Sequence, residues 1–194
     1  MGLKEQLYSI LVISSSEAFN NALSGLLPAS YYDPIQFAVG ISSAKRILNE
    51  REFDFLIINS PLPDGSGIDL SIDFSNSSCG VALLIVRADT LAGIRSKVTE
   101  HGVFTIAKPL STQMFTAALD WMASARERLR KSEKKTVSFE AKMKEIRVIN
   151  RAKWLLITEL KMEEPQAHRW IEKQAMDRCI TRKEVAEEII NTYS

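Results

Sequence analysis

The chain has 194 residues, of which 45% are hydrophobic, so it can bury one large core or two small ones. Its formal net charge of +1 excludes a strong field that would draw the whole protein to nucleic acid. The charge is uneven, however. Residues 1–110 hold 8 basic and 11 acidic residues, a net −3, whereas residues 111–194 hold 17 and 13, a net +4. The C-terminal part is therefore the better candidate for an anionic partner.

Compartment and cofactors follow from what the sequence lacks. It shows no signal peptide and no long apolar span, which predicts a cytoplasmic protein without a membrane segment. Cys79 and Cys179 stand apart, without the spacing of a metal site, and are interpreted as reduced thiols. We expect no metal and no cofactor.

Apolar runs alternate with helical patterns along the first half of the chain. Ser15 or Ser16 is placed to cap the first helix, and Ile41–Leu48 is a further helical segment. Strands alternating with helices predict a parallel sheet covered on both faces, with functional loops at the carboxyl ends of the strands. The predicted strands are Tyr8–Ile13, Ile35–Val39, Phe53–Ile58, Val81–Val86 and Val103–Ala107.

One loop of this region is distinctive. Asn59-Ser60-Pro61 is followed by Leu62-Pro63-Asp64-Gly65-Ser66-Gly67, and Lys108-Pro109 follows the fifth predicted strand. With these motifs, residues 8–122 resemble the receiver domain of response regulators. The resemblance implies a doubly wound, flavodoxin-like sheet of five parallel strands.

The chemistry of receivers requires groups that this sequence replaces. In that family an aspartate accepts phosphate, two acids hold Mg²⁺, a Thr or Ser senses the phosphate and a Lys pairs with it. The matching positions are Ser14 and Ser15 for the acids, Asn59 for the acceptor, Arg87 for the Thr or Ser, and Lys108, which is retained. An amide is not a nucleophile, and hydroxyls do not replace carboxylates on a hard cation. The sequence predicts a pseudo-receiver.

The retained and substituted cations allow two interpretations. Arg87 and Lys108 either hydrogen-bond Asn59 and nearby carbonyls, or together they hold an anionic ligand. The sequence leaves both open.

A long helical stretch, Met114 to about Lys144, follows the receiver-like part. Its apolar residues repeat as an a/d seam over four heptads, with a weak middle at Ser132 and Thr136. A flexible basic linker is the alternative, but the pattern favours a parallel coiled-coil homodimer. The predicted dimer seam is Met122, Leu129, Phe139, Met143 and Ile146.

Three short helices are predicted beyond this stretch, and each needs the others to be stable. Pro165 suits the first turn of the second helix, and Thr181 with Glu184 forms a capping box for the third. Their apolar stripes are Ile149, Ala152, Leu156 and Leu160, then Ala167, Trp170, Ile171 and Ala175, and finally Val185, Ala186, Ile189 and Ile190.

The order of these residues resembles the ANTAR domain, a three-helix RNA-binding module of bacterial transcription antiterminators. The matching motifs are Ala152-Lys153, Ala175-Met176 and Val185-Ala186 before two aliphatic residues. Trp154 departs from the pattern, which usually has Gly there. The resemblance implies binding to paired hairpins in a nascent leader transcript. The predicted RNA-binding residues are Arg151, Ala152, Lys153, Arg169, Lys173, Ala175 and Arg178.

These inferences give an α/β receiver-like domain at residues 1–122, a coiled-coil linker at 123–145 and an ANTAR three-helix domain at 146–194. The predicted function is a non-enzymatic, RNA-binding antiterminator that is controlled independently of phosphorylation, as some relatives are by a sequestering sensor protein. The alternative is a protein-interaction module of a signalling pathway that does not bind RNA.

Overall fold

A computed structural model describes residues 7–193. Its first part alternates strands and helices and confirms the predicted α/β class. The elements are β1 (Tyr8–Ile13), α1 (Glu17–Ser24), β2 (Tyr32–Ala38), α2 (Ile41–Glu50), β3 (Phe55–Asn59), α3 (Ile68–Ser77), β4 (Val81–Arg87), α4 (Leu91–Val98) and β5 (Phe104–Lys108), with a 3₁₀ turn at Thr99–His101. All five predicted strands are present. The largest shift is in β2, which begins three residues early because Tyr32 pairs with Tyr8 of β1.

The five strands form one parallel sheet in the order β2-β1-β3-β4-β5. The order reverses between β1 and β3, and in such sheets this reversal is where a binding crevice opens at the carboxyl ends of the strands. Alternate residues of β1 and β3 enter two cores. Leu11 and Ile58 lie on one face and Ile10 and Phe55 on the other, all fully buried. Burial on both faces explains why these strands are continuous apolar runs.

Three helices complete the chain: α5 (Thr112–Leu160), α6 (Glu164–Asp177) and α7 (Arg182–Tyr193). The chain divides into two compact units between Lys131 and Ser132, within α5 and nine residues beyond the predicted end of the receiver-like domain. None of the described helices is long and apolar enough to cross a membrane.

The start of α5 belongs to the first unit. Phe115, Leu119 and Met122 are buried in the sheet core, and Met122 has no exposed surface. Its assignment to the dimer seam is therefore wrong, because its side chain packs on its own sheet and is not available to a partner helix.

The second unit is the predicted three-helix bundle. Pro165 stands in the first turn of α6, and Thr181 and Glu184 form the predicted capping box, with Glu184 accepting a hydrogen bond from the Thr181 amide at 2.7 Å. The buried core residues come from all three helices: Ala152, Leu156, Ala167, Ile171, Ala175, Val185, Ala186 and Ile189.

Candidate functional site

The switch point of the sheet holds a buried amide and a hydroxyl. Asn59 ends β3 and Ser14 follows β1, so parallel strands bring the two side chains together. Asn59 Nδ2 donates to Ser14 Oγ at 2.9 Å, and Ser14 Oγ also accepts from the Ser16 amide at 3.1 Å. Asn59 is 8% exposed, and its Oδ1 is buried without a hydrogen-bond partner among the described residues. The position that matches the phosphoacceptor of receivers therefore carries a neutral amide, which is hydrogen-bonded to a neutral hydroxyl.

The two cations of this pocket do not converge. Lys108 Nζ donates to the carbonyl oxygen of Ser60 at 2.6 Å, and burial lowers the pKa of its ammonium group. The Arg87 guanidinium instead pairs with Asp89 at 2.7 Å, with 68% of its side chain exposed. Lys108 therefore binds a nearby carbonyl, as the first of the two interpretations predicts. Arg87 hydrogen-bonds neither Asn59 nor the Ser60 carbonyl, and it does not join Lys108 around a shared anion site.

This donor set does not fit Mg²⁺. Ser14 and Asn59 offer a hydroxyl and an amide that are already hydrogen-bonded to each other, and Ser15 is exposed. Mg²⁺ in protein sites is held through carboxylates. Because an amide is also not a nucleophile, the geometry gives no route to an aspartyl-phosphate.

The loop after β3 makes structural contacts. The Asp64 carboxylate accepts hydrogen bonds from the amides of Ser42 and Ile41 at 2.9 and 2.8 Å, capping α2, and these bonds lower its pKa. Gly67 has φ 75°, and a Cβ there would lie 2.7 Å from Ile58 Cγ2. Two residues of this loop therefore have structural roles: Asp64 caps α2, and Gly67 lets the backbone lie close to Ile58 in the core.

An ionic cluster at Asp54, which precedes β3, was not predicted from the sequence. Asp54 Oδ1 contacts Arg126 Nε at 2.8 Å and Arg130 Nη2 at 2.7 Å, while the Ser9 amide donates to Oδ2 at 3.0 Å. Burial raises the pKa of Asp54, but the Ser9 amide and the two guanidinium groups outweigh it, and the pKa lies below its ordinary value. The only sequence signal was a pair of arginines one helical turn apart in the supposed linker.

The second unit carries a groove lined by basic, polar and apolar side chains, which we call the basic groove. Its volume is about 420 Å³, and Ile146 and Ile149 give it an apolar wall. Three cations and one carboxylate border it. The lining residues are Lys142, Glu145, Ile146, Ile149, Asn150, Lys153, His168 and Arg182.

Lys153 is less available than the sequence indicated. Its ammonium group forms an ion pair with Glu164 at 2.8 Å, and 18% of its side chain is exposed. The pair joins α5 to the first turn of α6 and lowers the pKa of Glu164 through the hydrogen bond from Lys153. Lys153 therefore has a structural contact in addition to its place in the groove.

The remaining cations of the predicted RNA-binding set are exposed and differ in their ion pairs. Arg151, Arg169 and Lys173 are exposed, and Arg169 and Lys173 form no ion pair with any residue of the described chain. Arg178 is exposed but pairs with both Glu188 oxygens at 2.5 and 2.7 Å.

The two alanines of the predicted RNA set lie inside the bundle. Ala152 has no exposed surface and Ala175 has 7%. Their assignment to RNA contact is wrong, because small side chains at these positions fill the core between the helices.

The rest of the predicted seam is exposed in the single chain. The exposed fractions are 38% for Leu129, 64% for Phe139, 36% for Met143 and 50% for Ile146. Leu129 belongs to the first unit and the other three to the second.

Known proteins resemble both parts of this chain, the C-terminal bundle in sequence and the first unit in fold. Residues 138–190 match the family model described as the ANTAR domain. The first unit is similar in fold to three solved proteins. A signal receiver domain of an HD domain-containing protein from Pseudomonas fluorescens has a TM-score of 0.58 and 23% identity, covering 68% of this chain and 96% of that one.

The other two are a non-phosphorylated HemR receiver domain from Leptospira biflexa and an adenylate cyclase from Rhodopirellula baltica. The first has a TM-score of 0.52 and 26% identity over 59% of this chain and 93% of that one. The second has a TM-score of 0.60 and 16% identity over 66% and 96%. The chain thus combines a C-terminal segment that matches the ANTAR domain with a domain of the receiver fold. Over 94% of its length and 89% of the relative's, it is 23% identical to the transcriptional regulatory protein PdtaR of Mycobacterium tuberculosis.

Proposed function

We propose that this protein is a cytoplasmic, RNA-binding transcription antiterminator whose receiver-fold domain is controlled without phosphorylation. The observation that carries the proposal is the ANTAR match over residues 138–190, which coincides with a bundle that has a basic groove and exposed cations. In the family this domain binds hairpins in leader transcripts, and binding there prevents a terminator hairpin from forming.

The charge of the bundle supports an RNA partner. Arg169 and Lys173 lie one turn apart on α6, exposed and without carboxylate partners in the described chain. Cations of this kind bind phosphates and release counterions, which makes affinity depend on salt. The basic groove adds an apolar wall beside cations, a combination that suits an unstacked base and its phosphate.

Control by a partner fits the degenerate pocket. Asn59 donates a hydrogen bond to Ser14, and Lys108 donates one to a backbone carbonyl, so we assign the pocket neither a phosphoacceptor nor a metal site. The input would then be a protein that binds the receiver-fold surface, and sequestration is the simplest form of such control.

Dimerisation through α5 is part of this proposal. Leu129 and Ile146 are exposed apolar residues that a second copy would cover. Two linked bundles would engage two hairpins with increased avidity. Light scattering should give twice the monomer mass for the wild type, and Leu129→Asp with Ile146→Asp should give the monomer, because charge is costly in an apolar seam. A monomeric wild type at micromolar concentration would contradict this part.

The RNA proposal is tested with hairpins selected from a pool that has a fixed stem and a randomised loop. Arg169→Ala with Lys173→Ala should weaken binding and reduce the salt slope by up to about two, since each phosphate contact contributes roughly one unit or slightly less. Arg95→Ala with Lys97→Ala, which removes two exposed cations of the receiver-fold unit, is the matched control and should leave both quantities unchanged. A wild-type protein that retains no RNA above a non-binding control would refute RNA binding and leave the protein-interaction alternative.

Lys153 needs a design that separates charge from structure. Lys153→Ala removes the cation and the ion pair, whereas Glu164→Gln removes the ion pair and leaves the cation. If Lys153 contacts RNA, only the first variant weakens binding. Equal losses in both variants would assign Lys153 to the α5–α6 contact alone.

A further inference from the structure

Trp154 lies on the outer face of α5 in the second unit. Its side chain is 67% exposed, although Ala152 and Leu156, two residues to either side, are fully buried in the bundle. The indole therefore contributes little to the bundle core. A single exposed apolar residue is ordinary on a protein surface, so its neighbours decide what it does.

The exposed neighbours of Trp154 are polar or cationic, and its one apolar neighbour a turn away, Ile157, is partly buried against the bundle core. Residues three and four positions apart are adjacent on a helix surface. Asn150 and Arg151 lie one turn before Trp154, Thr158 one turn after and Arg147 two turns before, and all four are exposed. None of these positions holds a carboxylate. The face is thus an aromatic ring beside two guanidinium groups.

We propose that Trp154 is a stacking platform for an unpaired base of the bound RNA, with Arg147 and Arg151 placed for the adjacent phosphates. This inference rests on the proposed RNA-binding function and deepens it. Protein surfaces that bind single-stranded nucleic acid combine an aromatic ring, which stacks on any base, with cations that follow the backbone. Charge complementarity favours an anionic polymer here, because the exposed residues around the ring, Asn150, Arg151 and Thr158, are polar or cationic, and the one apolar neighbour, Ile157, packs against the bundle core.

The test compares Trp154→Ala, Trp154→Phe and Trp121→Ala on the same selected hairpin. Trp121 is 52% exposed in the receiver-fold unit and serves as the matched control. Loss of one base stack should weaken binding by Trp154→Ala about 5- to 150-fold. Trp154→Phe should retain most of the affinity because its ring still stacks, and Trp121→Ala should bind as the wild type does. Circular dichroism establishes that each variant is folded.

The salt dependence distinguishes stacking from charge. Trp154→Ala removes no cation, so the slope of log affinity against log salt should stay at the wild-type value. A blunt duplex of the same stem, which has no unpaired base, should bind both proteins equally.

Three outcomes would overturn the proposal. If the wild type binds the hairpin and Trp154→Ala binds it equally well, the stacking role is refuted while RNA binding stands. If Trp154→Ala changes the mass measured by light scattering, the ring is covered by a second copy. If the wild type binds no hairpin of the pool, the RNA-binding function fails and this inference fails with it.

Discussion

The ionic cluster at Asp54 should hold the part of α5 around Arg126 and Arg130 to the sheet of the receiver-fold unit. Asp54→Ala removes a carboxylate that accepts hydrogen bonds from Ser9 and contacts Arg126 and Arg130. The side chains of the three ion-paired residues are 12%, 14% and 16% exposed, so both guanidinium groups would lose their partner in a largely dry site.

The magnitude follows from that burial. Removing one partner of a fully buried ion pair costs about 3–5 kcal/mol, because the other charge is left uncompensated. Since these side chains keep some exposure, water can partly solvate the orphaned arginines, and we expect about 3 kcal/mol. Arg130 also contacts Glu127 at 2.9 Å and keeps that partner in the variant, which is a second reason to expect the low end of the range.

Hydrogen exchange is the appropriate assay because the chain has two units. Core amides of β3 exchange through opening of the first unit, so Asp54→Ala should lower their opening free energy by about 3 kcal/mol. Amides of α6 and α7 belong to the second unit and serve as an internal reference. Arg128→Ala, at an exposed position between the two arginines, should change stability by less than about 0.5 kcal/mol.

A double-mutant cycle decides whether the contact itself is responsible. Asp54→Ala and Arg130→Ala should couple by about 0.5–3 kcal/mol, as residues of one ionic network do. Additive effects within about 0.3 kcal/mol would refute the reasoning, because they would mean that the two side chains stabilise the unit independently.

Three further predictions concern the same unit. Acetyl phosphate with Mg²⁺ should leave the intact mass of both the wild type and Asn59→Asp unchanged, and an acid-labile adduct mapping to residues 54–67 would contradict this. Asp64→Ala should speed hydrogen exchange in the first turn of α2, whose amides it caps, while Asp64→Asn should preserve most protection; equal exchange in all three proteins would exclude the cap. Because the pKa of Asp54 lies below its ordinary value of 3.8, its stabilisation is present above that value and is lost as the pH falls through the folded-state pKa. An acid titration should therefore destabilise Asp54→Ala less than the wild type.

Helices and strands could be predicted from the sequence where a residue pattern is compatible with only one structural environment. β1 and β3 are continuous apolar runs because both faces are buried, and the Thr181–Glu184 capping box is local in sequence. Met122 was misassigned for a physical reason: heptad spacing shows which helix face is apolar, not whether a partner helix or the helix's own sheet covers it. The contact of Asp54 with Arg126 joins residues 72 positions apart, so only the tertiary fold brings them together.

Contacts also explain which receiver features this domain keeps. Asp64 caps α2, Gly67 allows the backbone to approach Ile58, and Lys108 binds the Ser60 carbonyl, so each of these retained residues contacts the protein itself. The substituted positions, which include Asn59 and Ser14, are those where typical receivers have a residue that accepts the phosphoryl group or binds the metal. They now contact each other instead. We therefore propose that this domain keeps the shape of a receiver surface without the phosphoryl chemistry, and that its regulatory input is the binding of a partner to that surface and not modification of the pocket.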